Sequence, residues 1–165
     1  MKLLLTLVLT VLTMAVTTYV LKERSISSVL KEVTPTSFSA QKKLDLSNQG
    51  LTKVPMSVFS QTDLEELNLS HNTLDGALQS QVGQLKNLKV LNLSNNNFTG
   101  VPAEVGQLKN LEVLNLSHNK LTGLPSELGN LSKLKLLDIS GNDYSEADLA
   151  GIRNKLPAPT VIKTN

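Results

Sequence analysis

Between residues 41 and 144 the chain repeats one phrase five times. Gln41–Leu51, Leu64–Leu74, Leu88–Phe98, Leu111–Leu121 and Leu134–Tyr144 read QKKLDLSNQGL, LEELNLSHNTL, LKVLNLSNNNF, LEVLNLSHNKL and LKLLDISGNDY. All follow the frame L-x-x-L-x-L-x-x-N-x-L, and their starts lie 23, 24, 23 and 23 residues apart. One coil of this length cannot bury its own leucines. Stacked coils can, so self-similarity at this period predicts a solenoid in which each coil packs only on its neighbours.

Inside the frame, leucines alternate with polar residues, as in Leu67-Asn68-Leu69 and Leu114-Asn115-Leu116. Period-two alternation predicts a short strand with one face buried. The asparagines that follow (Asn72, Asn96, Asn119, Asn142) end the strand, and a buried amide there can bond backbone groups that no sheet ladder reaches. The return arms, Val101-Pro102…Val105…Leu108 and Leu124-Pro125…Leu128…Leu131, space their apolar residues three or four apart, which predicts a short helical turn on the convex side.

Five tandem copies of this frame resemble the leucine-rich repeat family over nearly all of residues 41–144. The resemblance implies an α/β solenoid with a concave parallel sheet, about five coils plus end caps. It is closer to small bacterial members, some of which carry an N-terminal membrane segment. A repeat of this kind says much about fold and little about a particular ligand.

The end coils depart from the frame, as caps should. The first has Gln41, Gln49 and Gln61 where later coils have Leu, Asn and Leu, and Phe38 is expected to cover that end of the core. The second coil carries one extra residue around Asp75–Ser80, which predicts a local bulge on the convex side. A C-terminal cap is expected from about residue 145. Ser145-Glu146-Ala147-Asp148 has the form of a weak capping box, with Leu149, Ile152 and Leu156 as an apolar helix face that Pro157 and Pro159 terminate. Thr160–Lys163 is β-prone and can add a last parallel strand.

The domain plan is therefore an anchor or signal segment over 1–21, a juxtamembrane helix and linker over 22–40, and the repeats over 41–165. Residues 3–21 are uncharged between Lys2 and Lys22. As a helix they span roughly 28 Å, close to the hydrocarbon thickness of a bilayer. An uncleaved anchor is preferred to a cleaved signal peptide because no A-x-A-like site follows. The repeats are expected outside the cytoplasm. Thr6, Thr10, Thr13 and Thr17 share one face of that helix, a pattern that serves helix association or simple bonding to carbonyls one turn back. Ile26, Val29, Leu30 and Val33 have amphipathic spacing, and Thr34-Pro35-Thr36-Ser37 breaks it.

Composition removes several kinds of chemistry. The 165 residues include no cysteine, which excludes thiolate zinc sites and cysteine nucleophiles. The formal charge of +2 lies in the first 40 residues, and the repeats hold twelve basic and twelve acidic side chains. With 3% aromatics, they lack the footprint of a nucleic-acid binder. His71 and His118 occupy one frame position two coils apart, roughly 10 Å at the strand spacing, too far to share a metal. The serine of Ser70-His71 and Ser117-His118 recurs in every coil (Ser47, Ser94, Ser140), including coils with no histidine. It lacks the single base, orienting acid and sheltered pocket that a nucleophile needs. The glycosylation-like matches at Asn68, Asn92 and Asn115 are the repeat frame itself. No enzyme activity, cofactor or metal is expected.

Two rows on the concave face remain. Lys42, Glu65, Lys89, Glu112 and Lys135 alternate in charge and should pair between strands, which favours the in-register stack. Such exposed pairs contribute little individually. The next row runs Lys43, Glu66, Val90, Val113, Leu136, and three adjacent outward apolar residues are harder to explain by stacking alone. The candidate binding surface is therefore Glu66, Val90, Val113 and Leu136, flanked by Asn68, Asn92 and Asn115 and by Ser94 and Ser117. The function expected is a binding module for a protein or peptide, displayed on the cell envelope, membrane-bound through residues 3–21. The alternative is a structural or adhesive protein that self-associates, a homo-oligomer, or binds wall polymer.

Overall fold

The computed structural model describes residues 42–165; the anchor, linker and Phe38 lie outside the described residues. The described residues form β1 (Lys43–Asp45), β2 (Glu66–Asn68), β3 (Asp75–Ala77), β4 (Val90–Asn92), β5 (Asn97–Gly100), β6 (Val113–Asn115), β7 (Leu136–Asp138), α1 (Glu146–Arg153) and β8 (Val161–Lys163). Six of the strands make one parallel sheet in the order β1-β2-β4-β6-β7-β8. The strands are short because only one leucine per strand points inward. Leu67, Leu91, Leu114 and Leu137 are at most 1% exposed, and Leu69, Leu93, Leu116 and Ile139, just beyond the strands, are as well buried. Burying these residues coil on coil is the main drive for stacking.

The asparagine row works as anticipated. The Asn96 amide donates to the carbonyls of Leu69 (3.0 Å), Leu93 (3.0 Å) and Ser94 (3.2 Å), and its Oδ1 accepts from the Leu74 N–H at 3.1 Å. Asn142 repeats the set with Leu116, Ile139, Ser140 and Leu121. Asn72 and Asn119 do likewise. Each side chain thus closes its own turn and clamps it to the preceding coil. These backbone groups would otherwise be buried without partners.

On the other side of the coil, the return arms are five-residue 3-10 turns at Met56–Ser60, Ser80–Gln84, Ala103–Gln107 and Ser126–Asn130. They stack closely because Gly83, Gly106 and Gly129 face the next coil. A Cβ at these three positions would lie 2.9 Å from Glu104 Cβ, 2.8 Å from Glu127 Cβ and 2.7 Å from Lys155 Cβ. The first coil has Phe59 at that position instead, and its ring is 2% exposed.

Two expectations need correction. The irregularity near Asp75 is not a simple convex bulge: β3 pairs in parallel with β5 as a second, two-stranded sheet. Gly76 is opposite Phe98 and Ala77 is opposite Gly100, so Thr99 of the following coil is the residue passed over. This places Asn97 inside a strand and half buried, where the frame alone suggests exposure. Nor is there a capping box at α1. The Ser145 side chain makes no cap bond, and Asp148 Oδ2 instead accepts from the Leu124 N–H, 3.2 Å away on the preceding coil. Asp is one methylene short of the Glu or Gln that reaches back in a capping box. Leu149 and Ile152 are buried, Leu156 is half buried, and β8 forms after the prolines.

Candidate functional site

The register of the parallel sheet turns frame positions into straight rows. One row is Lys43, Glu66, Val90, Val113, Leu136 and Val161; the other, two residues further along each strand, is Asp45, Asn68, Asn92, Asn115, Asp138 and Lys163. Val90, Val113 and Leu136 are half buried, shielded by one another across the strands. Val161 lengthens this apolar row to four strands and is 56% exposed. Sequence reading missed Val161 as a surface residue because β8 lies outside the repeat frame, although its β propensity was legible.

Charged groups on this face are largely spent on one another. Glu65 lies 2.6 Å from both Lys42 and Lys89, Lys43 is 2.7 Å from Glu66, and Lys135 is 2.6 Å from Glu112. Lys163 is 3.6 Å from Asp138. Hydrogen bonds from Lys42 and Lys89 hold the Glu65 carboxyl down at about 2, and Glu65 in turn raises Lys89. Lys135 lowers Glu112 in the same way. The alternating ladder therefore forms, but Lys89 goes to Glu65 rather than bridging both neighbours. Asp45 is held below its ordinary range by the Ser47 backbone N–H, then the Ser47 hydroxyl, with the Asn68 amide assisting.

The serines expected to flank the site are not available to a ligand. Ser94 and Ser117 are 5% and 6% exposed. Their N–H groups donate to Asn92 Oδ1 (3.1 Å) and Asn115 Oδ1 (3.0 Å), and the Ser117 hydroxyl also donates to Asn115 at 2.7 Å. The serine bonded to the Asn or Asp two residues before it turns the chain out of each strand, with Asp45 and Asp138 in place of asparagine in the first and last coils, which explains the recurrence of the serine in every coil. It also orients the asparagines: with Oδ1 held by the turn, the Nδ2 groups of Asn92 and Asn115 have no protein acceptor among the described residues.

The histidines belong to the same turn. Asn48, His71, Asn95 and His118 adopt φ of 55°, 55°, 55° and 52°, and Gly141 φ of 67°. Left-handed backbone selects Gly and Asn and tolerates His, so the two histidines hold a turn position. The His71 ring sits 3.4 Å from the Asn95 amide. No cluster of three His, Asp or Glu side chains able to hold a metal occurs among the described residues.

Grooves adjoin both ends of the apolar row. One of about 300 Å³ is lined by Lys43, Asp45, Glu66, Asn68, Val90 and Asn92. Another of about 520 Å³ lies between Lys133, Lys135, Pro157, Ala158, Pro159 and Val161. Both are open, and neither encloses a reacting centre.

A leucine rich repeat family model matches residues 42–98 and 86–143, most of the chain. The chain belongs to the leucine-rich repeat family. It is similar to a leucine-rich repeat protein of Leptospira interrogans, with 38% identity and a TM-score of 0.67 over 75% of this chain and 31% of that one. It is also similar to the ectodomain of the receptor kinase SOBIR1 from Arabidopsis thaliana, with 29% identity and a TM-score of 0.58 over 73% and 71% of the two chains. A third similar structure is the plant peptide hormone receptor RGFR1 in complex with RGF2, with 29% identity and a TM-score of 0.60 over 74% of this chain and 24% of that one. Among curated proteins, Receptor-like protein 1 of Arabidopsis thaliana is 46% identical over 60 residues, 36% of this chain and 6% of that one. The chain thus spans less than a third of the Leptospira protein and a small part of the curated plant relative.

Proposed function

We propose that this protein is a binding module that presents the open face of its parallel sheet to a protein or peptide. The observation that carries this reading is the apolar row Val90–Val113–Leu136, continued by Val161. Four adjacent strands point apolar side chains away from the core, where stacking alone asks only for tolerance. The plant receptor in complex with RGF2 supports the reading by analogy of fold. Recognition by a rigid surface accounts for the residues on this face.

We also propose display on the cell envelope. The uncharged stretch 3–21 is long enough to hold the chain in a bilayer, with 22–40 as the connection to repeats outside the cytoplasm. That stretch lies outside the described residues. Among those described, no helix is long and apolar enough to cross a membrane. The similarity to the Leptospira protein and the lack of cysteine support a bacterial-type member.

Crosslinking followed by mass spectrometry in the source cells tests the binding reading. The native chain should capture a partner that Val113→Glu, accumulating to the same level, does not. Identical partner profiles for the two chains would remove the apolar row as the binding surface. Capture of the chain by itself alone would instead favour a self-associating structural protein.

A further inference from the structure

Resting on that reading, we infer that the ligand of the concave face is an uncharged, extended peptide segment with apolar side chains. The charge arrangement of the face carries the argument. Lys42, Lys43, Glu65, Glu66, Lys89, Glu112, Lys135, Asp138 and Lys163 all have an opposite charge within 2.6–3.6 Å on a neighbouring strand. The five lysines are matched by these four carboxylates and Asp45, so the face carries no net field of one sign that would draw an acidic or basic ligand. Asp45 is the remaining carboxylate of the two strand rows, and the Ser47 turn and the Asn68 amide occupy it.

What the face still offers is of two kinds. The first is the apolar row from Val90 to Val161. The second is the pair of Nδ2 donors on Asn92 and Asn115, whose oxygens are committed to the serine turns. At the usual strand separation the row is about 14 Å long, the reach of four or five residues of extended chain. The amide donors lie two residues along the strands, about 7 Å from the apolar row. A chain laid across the strands between the rows can place apolar side chains on Val113 and Leu136 and turn main-chain carbonyls toward the amides. Main-chain carbonyls suit this position because the amides are donors and every peptide unit supplies an acceptor. The groove between Lys133–Lys135 and Pro157–Pro159 adjoins the row at Val161.

The test is to pan a random-peptide display library against the full chain solubilised in detergent, with Val113→Glu and Asn115→Asp panned in parallel. Enriched peptides should have net charge near zero and apolar residues at their centre. Their Kd should change by less than about threefold between about 50 mM and about 500 mM salt, because no ion pair is screened. Val113→Glu should abolish binding, and Asn115→Asp, which replaces the donor with an acceptor, should weaken it at least tenfold. Charged peptides whose affinity falls more than tenfold with salt, yet which Val113→Glu still abolishes, would overturn the neutral-ligand inference and keep the concave site. Peptides that bind Val113→Glu unchanged would overturn the site itself. A library that enriches nothing above bare support also counts against the inference.

Discussion

From the second coil onward a single amide, that of Asn72, Asn96, Asn119 or Asn142, holds each turn closed. Asn96→Ala removes one acceptor and two donors from buried backbone partners and should cost about 1–3 kcal/mol. Asn97→Ala keeps the backbone bond from its N–H to the Leu74 carbonyl and loses only a half-buried side chain. Urea midpoints should therefore rank Asn97→Ala clearly above Asn96→Ala, and equal midpoints would refute the clamping role. Glycines give a second comparison. Gly106→Ala drives a Cβ against the Glu127 carbonyl and should destabilise by about 1–3 kcal/mol. Gly151→Ala, within α1 and with open space around it, should stabilise by about 0.5–1 kcal/mol in thermal melts. Glu65 supplies a pH signature. Its carboxyl is lowered from 4.5 to about 2 in the folded chain, so it binds protons less readily there than when unfolded. Its stabilisation is complete above the unfolded value and is lost as pH falls from about 4.5 toward about 2. Glu65→Gln should flatten the acid limb of a pH–stability curve relative to the native chain, and identical limbs would show that the pairs with Lys42 and Lys89 contribute nothing.

At the scale of a strand, what matters is the alternation of faces. In β6, Leu114 is fully buried, while Val113 and Asn115 lie on the other face and are half buried. Leu114→Glu puts a carboxylate into the stack without a partner and should prevent folding. Val113→Glu leaves its carboxylate in water in the free protein and should fold with a midpoint near that of the native chain. Binding would then desolvate that carboxylate at a cost of several kcal/mol. Circular dichroism melts of the two variants separate these outcomes, and comparable loss of structure in both would mean that the faces of β6 are assigned wrongly. The phase of the repeat strands of the six-stranded sheet was legible from alternation alone. The second sheet of β3 and β5 was not, because Asp75-Gly76-Ala77 and Asn97–Gly100 share no apolar alternation and their pairing joins residues of different coils.

The whole repeat array should behave as a helix-poor body, since α1 and a few 3-10 turns carry its helical residues among those described. Residues 36–165 expressed alone should fold, and their far-UV circular dichroism should lack the strong double minimum of a helical protein; a spectrum dominated by long helix would contradict the architecture. Solenoid class, coil count, the inward leucines and the asparagine clamp could all be read from the chain, because a repeat whose coils touch only their neighbours writes its tertiary contacts into local periodicity. Positions 71 and 118 show where that reading stops. The residues there alternate among Asn, His and Gly for a reason visible only as left-handed backbone. Ser94 and Ser117 look like surface hydroxyls by frame position, yet the turn buries them. Val161 joins the apolar row only because α1 and the prolines return the chain to the sheet, beyond any repeat. Periodicity determined which residues face the core. Stacking across coils decided which outward residues remain available to another molecule, because each one's neighbours, charge partners and exposure come from strands more than twenty residues away.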